Sequence, residues 1–310
     1  MDYVDIIQQE YEWSDLPWKK FEKALYKLQK RIYQASSRGD VKNVKRLQKL
    51  LMKSRSAKLI LVRRVTQDNQ GAKTAGVDGK KNLTPKQRFA LVDKISLGSK
   101  ASPVRRVWIP KPGKNEKRPL GIPTIEDRAL QCLVKMAIEP EWEAKFEPNS
   151  YGFRPGRSCH DAIEAIFIAI KHNSKYVLDA DISQCFDKIN HEKLLKKLNT
   201  SPTLRRQIRA WLKAGVWDDK QIFPTSEGSP QGGVISPLLA NIALHGMENC
   251  IKEFAETLEL KYTTGKSMRK KDRRSSLSLI RYADDFVILH KDHSVIIRCR
   301  EIISEWAGIL

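Results

Sequence analysis

The stretch from Leu277 to Leu289 constrains this chain more than any other, because it sets two adjacent aspartates between two apolar runs. Leu277, Leu279 and Ile280 precede Tyr282-Ala283-Asp284-Asp285, and Phe286-Val287-Ile288-Leu289 follow. Apolar β-formers broken by a short polar step read as two strands joined by a tight turn, with both acids at its tip. An acid pair in a turn is, taken alone, ordinary solvated surface. Its weight comes from a third acid, Asp181, which ends another β-like run, Tyr176-Val177-Leu178. Carboxylates carried by separate strands to one sheet edge point to divalent metal ions handling a polyanion. Three such charges repel strongly without a cation, so a purely structural role is expensive.

The charge balance agrees. The 310 residues include 57 Lys and Arg against 36 Asp and Glu, a formal net charge of +21. Nucleic acid is the first partner this favours, and an anionic membrane surface the second. The membrane reading is weak: the longest apolar run, from Ala162 to Ile170, is interrupted by Glu164 and is too short to span a bilayer. Met1-Asp2-Tyr3-Val4-Asp5 lacks the basic start and apolar centre of a signal peptide. Five cysteines (Cys132, Cys159, Cys185, Cys250 and Cys299) are scattered without a C-x-x-C pair. They read as reduced thiols of a cytoplasmic, unsecreted protein, and the chain as associated with nucleoid or ribonucleoprotein.

Residues 16–67 hold 16 Lys and Arg and two acids, Glu22 and Asp40. Within them Phe21, Leu25, Leu28 and Ile32 recur at helical spacing, with Ser14 and Asp15 before Pro17 as cap and first turn. Gly39-Asp40 ends that pattern, and Val44, Leu47 and Leu51 resume it in a second helix. A merely soluble face would mix signs, so one-sided charge favours phosphate contact. A loop over residues 71–79 follows, then a capped helix opened by Thr84-Pro85-Lys86-Gln87. Val104–Ile109 and Arg118–Ile122 read as a hairpin, with Trp108 packed on one face and Arg105 and Lys111 outside. Further helices are expected over 125–139 after Thr124, over the Ile163, Ile166 and Ile170 stripe, over 191–198 and 203–214, and from Ser236-Pro237 to Ile251. Tyr176-Val177-Leu178 reads as a buried strand, and 262–274 as a mobile basic insert. Strands and helices alternate without a regular βαβ rhythm, so α+β is the expected class.

Joining nucleotides calls for two divalent ions about 4 Å apart, one activating the 3′-hydroxyl and one neutralising the leaving pyrophosphate. Asp181, Asp284 and Asp285 meet that need if their strands pair side by side. Asp181-Ile182-Ser183-Gln184-Cys185-Phe186-Asp187, Pro230-Gln231-Gly232-Gly233-Val234-Ile235-Ser236-Pro237 and Tyr282-Ala283-Asp284-Asp285 together resemble reverse transcriptases, more narrowly those encoded by group II introns. Ile109-Pro110-Lys111, Arg118-Pro119-Leu120-Gly121-Ile122-Pro123-Thr124 and Gly152-Phe153-Arg154-Pro155 are similar to that family's finger blocks. Gly76-Val77-Asp78-Gly79 is similar to its extra N-terminal block. The resemblance runs in order from about residue 16 to the C-terminus.

That resemblance implies a right-hand polymerase: a basic helical N-terminal extension over 1–80, fingers over 81–175 and a palm over 176–310. It implies two Mg2+ ions held by Asp181, Asp284, Asp285 and the Ile182 carbonyl. It assigns nucleotide contacts to Lys111, Arg118, Gln184, Cys185, Phe186, Gln231 and Gly232. Phe186 matches the family's steric gate against a 2′-hydroxyl, its alternative being an ordinary core residue; Gln231 is otherwise a turn residue. The finger loop is about one residue longer than the family pattern, which leaves Lys114 or Lys117 as substitutes for Lys111. The implied partners are group II intron RNA, an RNA template with a DNA primer and deoxynucleoside triphosphates, with a second copy possible through the fingers. Intron RNA would be met by Lys19, Lys20, Lys23, Lys27, Lys30, Arg31, Lys45, Arg46, Arg63, Arg64, Arg269, Lys270 and Lys271, to assist splicing and retrohoming.

The chain stops at Leu310, soon after the acid hairpin, whereas the family continues into a thumb. Unaided processive synthesis is therefore not expected. A splicing cofactor that binds intron RNA without polymerising is the alternative function. A viral-type RNA-dependent RNA polymerase is opposed by Phe186, since such enzymes admit a 2′-hydroxyl. Retron- and CRISPR-associated lineages fit the N-terminal blocks less well.

Overall fold

The computed structural model describes residues 12–308 except Ser99, Lys111, Pro112, Lys114, Gln184 and Pro230. In chain order its elements begin with helices α1 (Trp18–Ser37), α2 (Val41–Lys53), α3 (Arg55–Arg63) and α4 (Pro85–Lys94). Strands β1 (Val104–Pro110) and β2 (Lys117–Ile122), helices α5 (Ile125–Glu143) and α6 (Cys159–Ile170), and strand β3 (Tyr176–Asp181) follow. Then come α7 (Cys185–Lys188), α8 (His191–Leu198), α9 (Pro202–Leu212), β4 (Val216–Asp218) and β5 (Gln221–Phe223). The last are α10 (Ser236–Leu244), α11 (Met247–Thr257), α12 (Lys270–Ser276), β6 (Ser278–Tyr282), β7 (Asp285–His290) and α13 (His293–Gly308). The chain divides into two compact units, one of Met1–Lys145 with Leu198–Ser236 and one of Phe146–Lys197 with Pro237–Leu310. This mixture of helices and largely antiparallel sheets is the expected α+β class.

In the first unit the helical period is realised as packing. Leu25 and Ile32 of α1 are buried with Val44, Leu47 and Leu51 of α2, while the lysines between them face outward. Asp40 caps α2 by accepting from the Asn43 amide at 3.0 Å, which is why Gly39-Asp40 separates two helices. Ser14 and Asp15 do not cap α1. They lie in a 3₁₀ turn over Trp13–Asp15, and Pro17 stands at the helix start without a side-chain cap. The Thr84–Gln87 capping box forms as read. The sheet of this unit runs β2-β1-β4-β5, with β1 antiparallel to β2 and parallel to β4. Trp108 and Arg105 exchange their expected places: Trp108 is 52% exposed, while Arg105 turns in to donate to the Ala75 carbonyl at 2.9 Å.

The second unit is a three-stranded antiparallel sheet, β3-β7-β6, with helices on both faces. Successive side chains of a strand point to opposite faces. Accordingly Leu279, Phe286 and Ile288 pack with α11 and α13, whereas Ile280 and Leu289 pack with α6. Two expectations fail here. Helix α6 turns Ala162, Ala165, Ile166 and Ala169 to the sheet, because alanines let its axis come close. Ile163 and Ile170 consequently face out, 61% and 41% exposed, beside Phe167 and Ile168. Strand β3 is an edge strand, so Tyr176 and Val177 are each 53% exposed and not buried.

The helix expected from Ser236 to Ile251 is broken at Gly246, whose φ of 103° ends α10 and begins α11. Lys197 donates to the Ala243 and His245 carbonyls freed by that break. Burial draws its ammonium down to about 8. The 262–274 stretch is folded. Lys261 and Ser267 form a bridge, α12 follows, and the Tyr262 hydroxyl bonds Asp272 at 2.5 Å.

Candidate catalytic centre at the sheet edge

The register of the second sheet brings the sequence-separated acids together. Asp181, the last residue of β3, lies opposite Asp285, the first residue of β7. Opposed residues of antiparallel strands have Cα atoms only about 4.5–5.5 Å apart. Asp284 occupies the turn between β6 and β7, and its carbonyl accepts from the Ile182 amide at 3.2 Å. The end of β3 is thereby tied to the acid turn through backbone, without relying on any carboxylate.

Asp181 and Asp285 are exposed and Asp284 half-buried. Partial burial, then the charges of Asp284, Asp181 and Asp179, hold the Asp285 carboxyl above its usual range. Among the described residues no lysine or arginine pairs with these three acids. Nor do three Asp, Glu, His or Cys side chains there close around a point that would hold an ion. The arrangement is an open, uncompensated edge, and it fits magnesium, which retains water and takes only one or two carboxylates plus substrate phosphates. The Ile182 carbonyl accepts from the Cys185 amide at 3.1 Å, which leaves its second lone pair for a cation.

The turn rests on a buried frame that strand periodicity did not disclose. Arg281, 1% exposed, donates to Asn241 Oδ1 at 3.1 Å, Ser150 Oγ at 2.7 Å and the Ala283 carbonyl at 2.7 Å. Burial lowers its guanidinium to about 10, well below the usual arginine range. Ala283 itself is held at φ 59°. Asn241 also donates to the Gly152 carbonyl at 2.7 Å, and the Tyr151 amide donates to the Arg281 carbonyl at 2.8 Å. A Cβ on Gly152 would lie 2.3 Å from the Ala283 nitrogen. Gly152-Phe153-Arg154-Pro155, read as a finger block, thus props the acid turn from below. Arg154 fixes that loop by donating to the Glu147 and Ser150 carbonyls at 2.9 and 2.6 Å. An arginine amid apolar strand residues was the one available signal for this frame.

Phe186 is half-buried on α7, its ring 6.3 Å from that of Phe153 in an edge-on contact. Cys185 is only 6% exposed and burial raises its thiol to about 12, so any nucleotide contact of Cys185 runs through backbone. Lys111 and Gln184 lie outside the described residues.

In the first unit, Arg118 stands exposed on β2 opposite Ile109. Three residues along the same strand, the Gly121 amide donates to the Gln231 carbonyl at 2.6 Å. Gly232, at φ 106°, lies so close that a Cβ would come 2.7 Å from the Gly121 oxygen. That approach and that dihedral both require glycine. Gln231 and Gly232 therefore pack against β2 at Gly121, three residues along the strand from Arg118.

The basic residues expected to meet RNA divide into two kinds. Lys19, Lys20, Lys23, Lys27, Lys30, Arg31, Arg46, Arg64 and Lys271 are exposed and Lys45 is half-buried. Arg63 is engaged with Asp68 at 3.5 Å and stacks over Trp18, Arg269 bonds Asp272 at 2.8 Å, and Lys270 pairs with Glu256 at 2.7 Å. No described helix is long and apolar enough to cross a membrane.

Comparison with known families places these features in context. The signature described as "Reverse transcriptase (RNA-dependent DNA polymerase)" matches residues 109–308, and that of the "N-terminal domain of reverse transcriptase" matches residues 13–95. Protein YkfC of Escherichia coli (strain K12) is 35% identical over 281 residues, covering 80% of this chain and 71% of that protein. The group II intron-encoded protein LtrA of Lactococcus lactis subsp. cremoris is 36% identical over 200 residues, 63% of this chain and 33% of LtrA. Maturase-like protein 1 of Euglena gracilis is 32% identical over 264 residues, 80% of this chain and 54% of that protein. The matched region is thus a third to about half of the length of the latter two.

Proposed function

The chain belongs to the reverse transcriptase family, in the branch of group II intron-encoded reverse transcriptases and maturases, and on that premise we propose that it extends a DNA primer on an RNA template. The observation that carries the reading is the pairing of Asp181 with Asp285, with Asp284 bonded through its carbonyl to Ile182. We assign residues 1–80 to the basic helical extension, 81–175 to the fingers and 176–310 to the palm.

Asp181, Asp284, Asp285 and the Ile182 carbonyl are the groups that would hold two Mg2+ ions, whose chemistry when bound would be to activate the primer 3′-hydroxyl and neutralise the departing pyrophosphate. Arg118 and Lys111 supply donors to triphosphate oxygens. We assign further nucleotide contacts to Gln231 and Gly232, and to Gln184, Cys185 and Phe186. The Phe186 ring excludes a 2′-hydroxyl by occupying its space. The exposed lysines of α1 and α2 recognise structured intron RNA by shape and phosphate, with affinity falling steeply in salt, and so assist splicing.

The test is extension of a DNA primer on an RNA template. Incorporation of deoxynucleotides with Mg2+, and none with chelator, is the expected result. In the same assay Phe186→Ala is expected to relax exclusion of ribonucleotides by at least about tenfold, on the scale set by steric pocket discrimination. Unchanged exclusion would remove Phe186 from the gate. No extension by the wild-type chain, alongside tight intron RNA binding, would replace the polymerase reading by that of a splicing cofactor.

A further inference from the structure

The first unit contains a cavity of about 720 Å³ between one side of α2, the start of α3, the loop after α4 and the first turn of α9. Its rim carries Lys45, Arg46, Lys49, Lys53 and Lys58, and among the described residues no acid lines it. Arg46 bonds the neutral Asn43 side chain at 3.0 Å, and Asp93, whose charge also acts on Lys58, is bound to Arg55 at 3.0 Å. Lys58 is half-buried, and desolvation pulls its ammonium below the usual lysine range despite Asp93. The floor is apolar: Met52, Ile95 and Leu204 are buried, and Leu97 forms a half-buried wall.

The wall is pinned. Gly98 donates to Gln207 Oε1 at 2.9 Å, and Gln207 Nε2 donates to the Lys100 carbonyl at 3.0 Å. Gln207 itself is fully buried. The cavity is therefore a built concavity and not a gap under a loose loop. Ser96 and Thr203, both exposed, also line it.

We propose that this cavity holds one unpaired nucleotide of a bound RNA, its phosphates on the lysine rim and its base against the Met52–Ile95–Leu204 floor. A bare phosphate site has no use for an apolar floor, and an apolar ligand none for five cations; a nucleotide has both kinds of surface. The volume suits one nucleotide and excludes a duplex. Structured RNA is read largely where bases are splayed out of the helix, with serine and threonine hydroxyls suited to base edges and the 2′-hydroxyl. The inference rests on the RNA-binding reading above and adds what that reading lacks, a place that distinguishes unpaired from paired RNA.

Fluorescence anisotropy with labelled rU12 and with a 12-base-pair RNA duplex tests it. Leu97→Trp fills the cavity without changing charge. It is expected to weaken rU12 binding by about tenfold, as loss of one seated base would, and to leave duplex binding within about twofold. Lys49→Glu, at an exposed position that does not threaten folding, is expected to weaken rU12 more than Lys23→Glu on α1 does. The proposal is overturned if both pocket variants leave rU12 unaffected, or if they weaken both probes equally. It is also overturned if a twelve-residue polyglutamate displaces rU12 as well as unlabelled rU12 does. A wild-type chain that binds neither probe refutes the RNA-binding reading and this proposal together. One that binds both, unaltered by either pocket variant, refutes this proposal alone.

Discussion

Asp284→Asn is expected to abolish primer extension while leaving the chain folded and, if anything, more resistant to heat. The substitution keeps the size of the side chain and the backbone carbonyl that receives the Ile182 amide. It removes one negative charge from an edge where partial burial, and then the charges of Asp284 and Asp181, hold the Asp285 carboxyl above its usual range. Less repulsion favours the folded state. The same removal deprives a divalent cation of a principal ligand, and loss of several kcal/mol of charge stabilisation amounts to about a thousandfold in rate. Activity and stability should therefore move in opposite directions. Single-nucleotide incorporation and thermal melting, measured side by side on Asp181→Asn and Asp284→Asn, check this. Retention of activity within tenfold of wild type would refute the assignment of these carboxylates.

Gly152→Ala should do the opposite, harming both quantities from a position without a functional group. The added Cβ would stand 2.3 Å from the Ala283 nitrogen and 2.9 Å from its Cα. Those neighbours are backbone, so no side chain can swing aside. Either the Gly152 loop or the acid turn must move. The loop is held by Asn241 and by the Tyr151–Arg281 bond, and the turn by Arg281. Overpacking of a braced site costs about 3 kcal/mol. A displacement of the turn near 1 Å would further cost roughly a hundredfold in rate. Denaturant unfolding and single-turnover incorporation are the measurements. A variant as stable and as active as wild type would mean that the glycine is not a spacer beneath the acids.

How much of this was legible beforehand depended on the kind of signal. The acid hairpin was, because a polar step between two β-forming runs has few other realisations, and β3 was placed by the same logic. The capping box at Thr84 was equally plain. Helix α6 was misread because, Glu164 and its first turn apart, apolar residues lie on most of its faces. With Ile, Phe and Ala on every side, hydrophobicity does not choose a face, and the closeness that alanine permits decided it. The exposure of Tyr176 and Val177 could not be read from their β propensity, since an edge strand and a central one are spelled alike. Gly246 resembled a tolerated interior glycine, although it ends one helix and begins another. Strands β4 and β5, three residues each, lie below the length at which periodicity speaks. Arg281 is the instructive omission: its role comes from Ser150 and Asn241, neither of them near in sequence.

The outer rim of β3 has a consequence for handling the protein. Among the described residues its far side meets no further strand, so it presents a row of free amides and carbonyls beside two large apolar side chains. Such a rim is a template for any extended peptide, including that of another copy. Mutual repulsion at a net charge of +21 opposes such pairing between copies. Concentrated salt, used to strip nucleic acid from basic proteins, shortens the reach of that repulsion to about 3 Å at 1 M. The buffer that cleans the preparation is thus the one in which its sheets are freest to zip together.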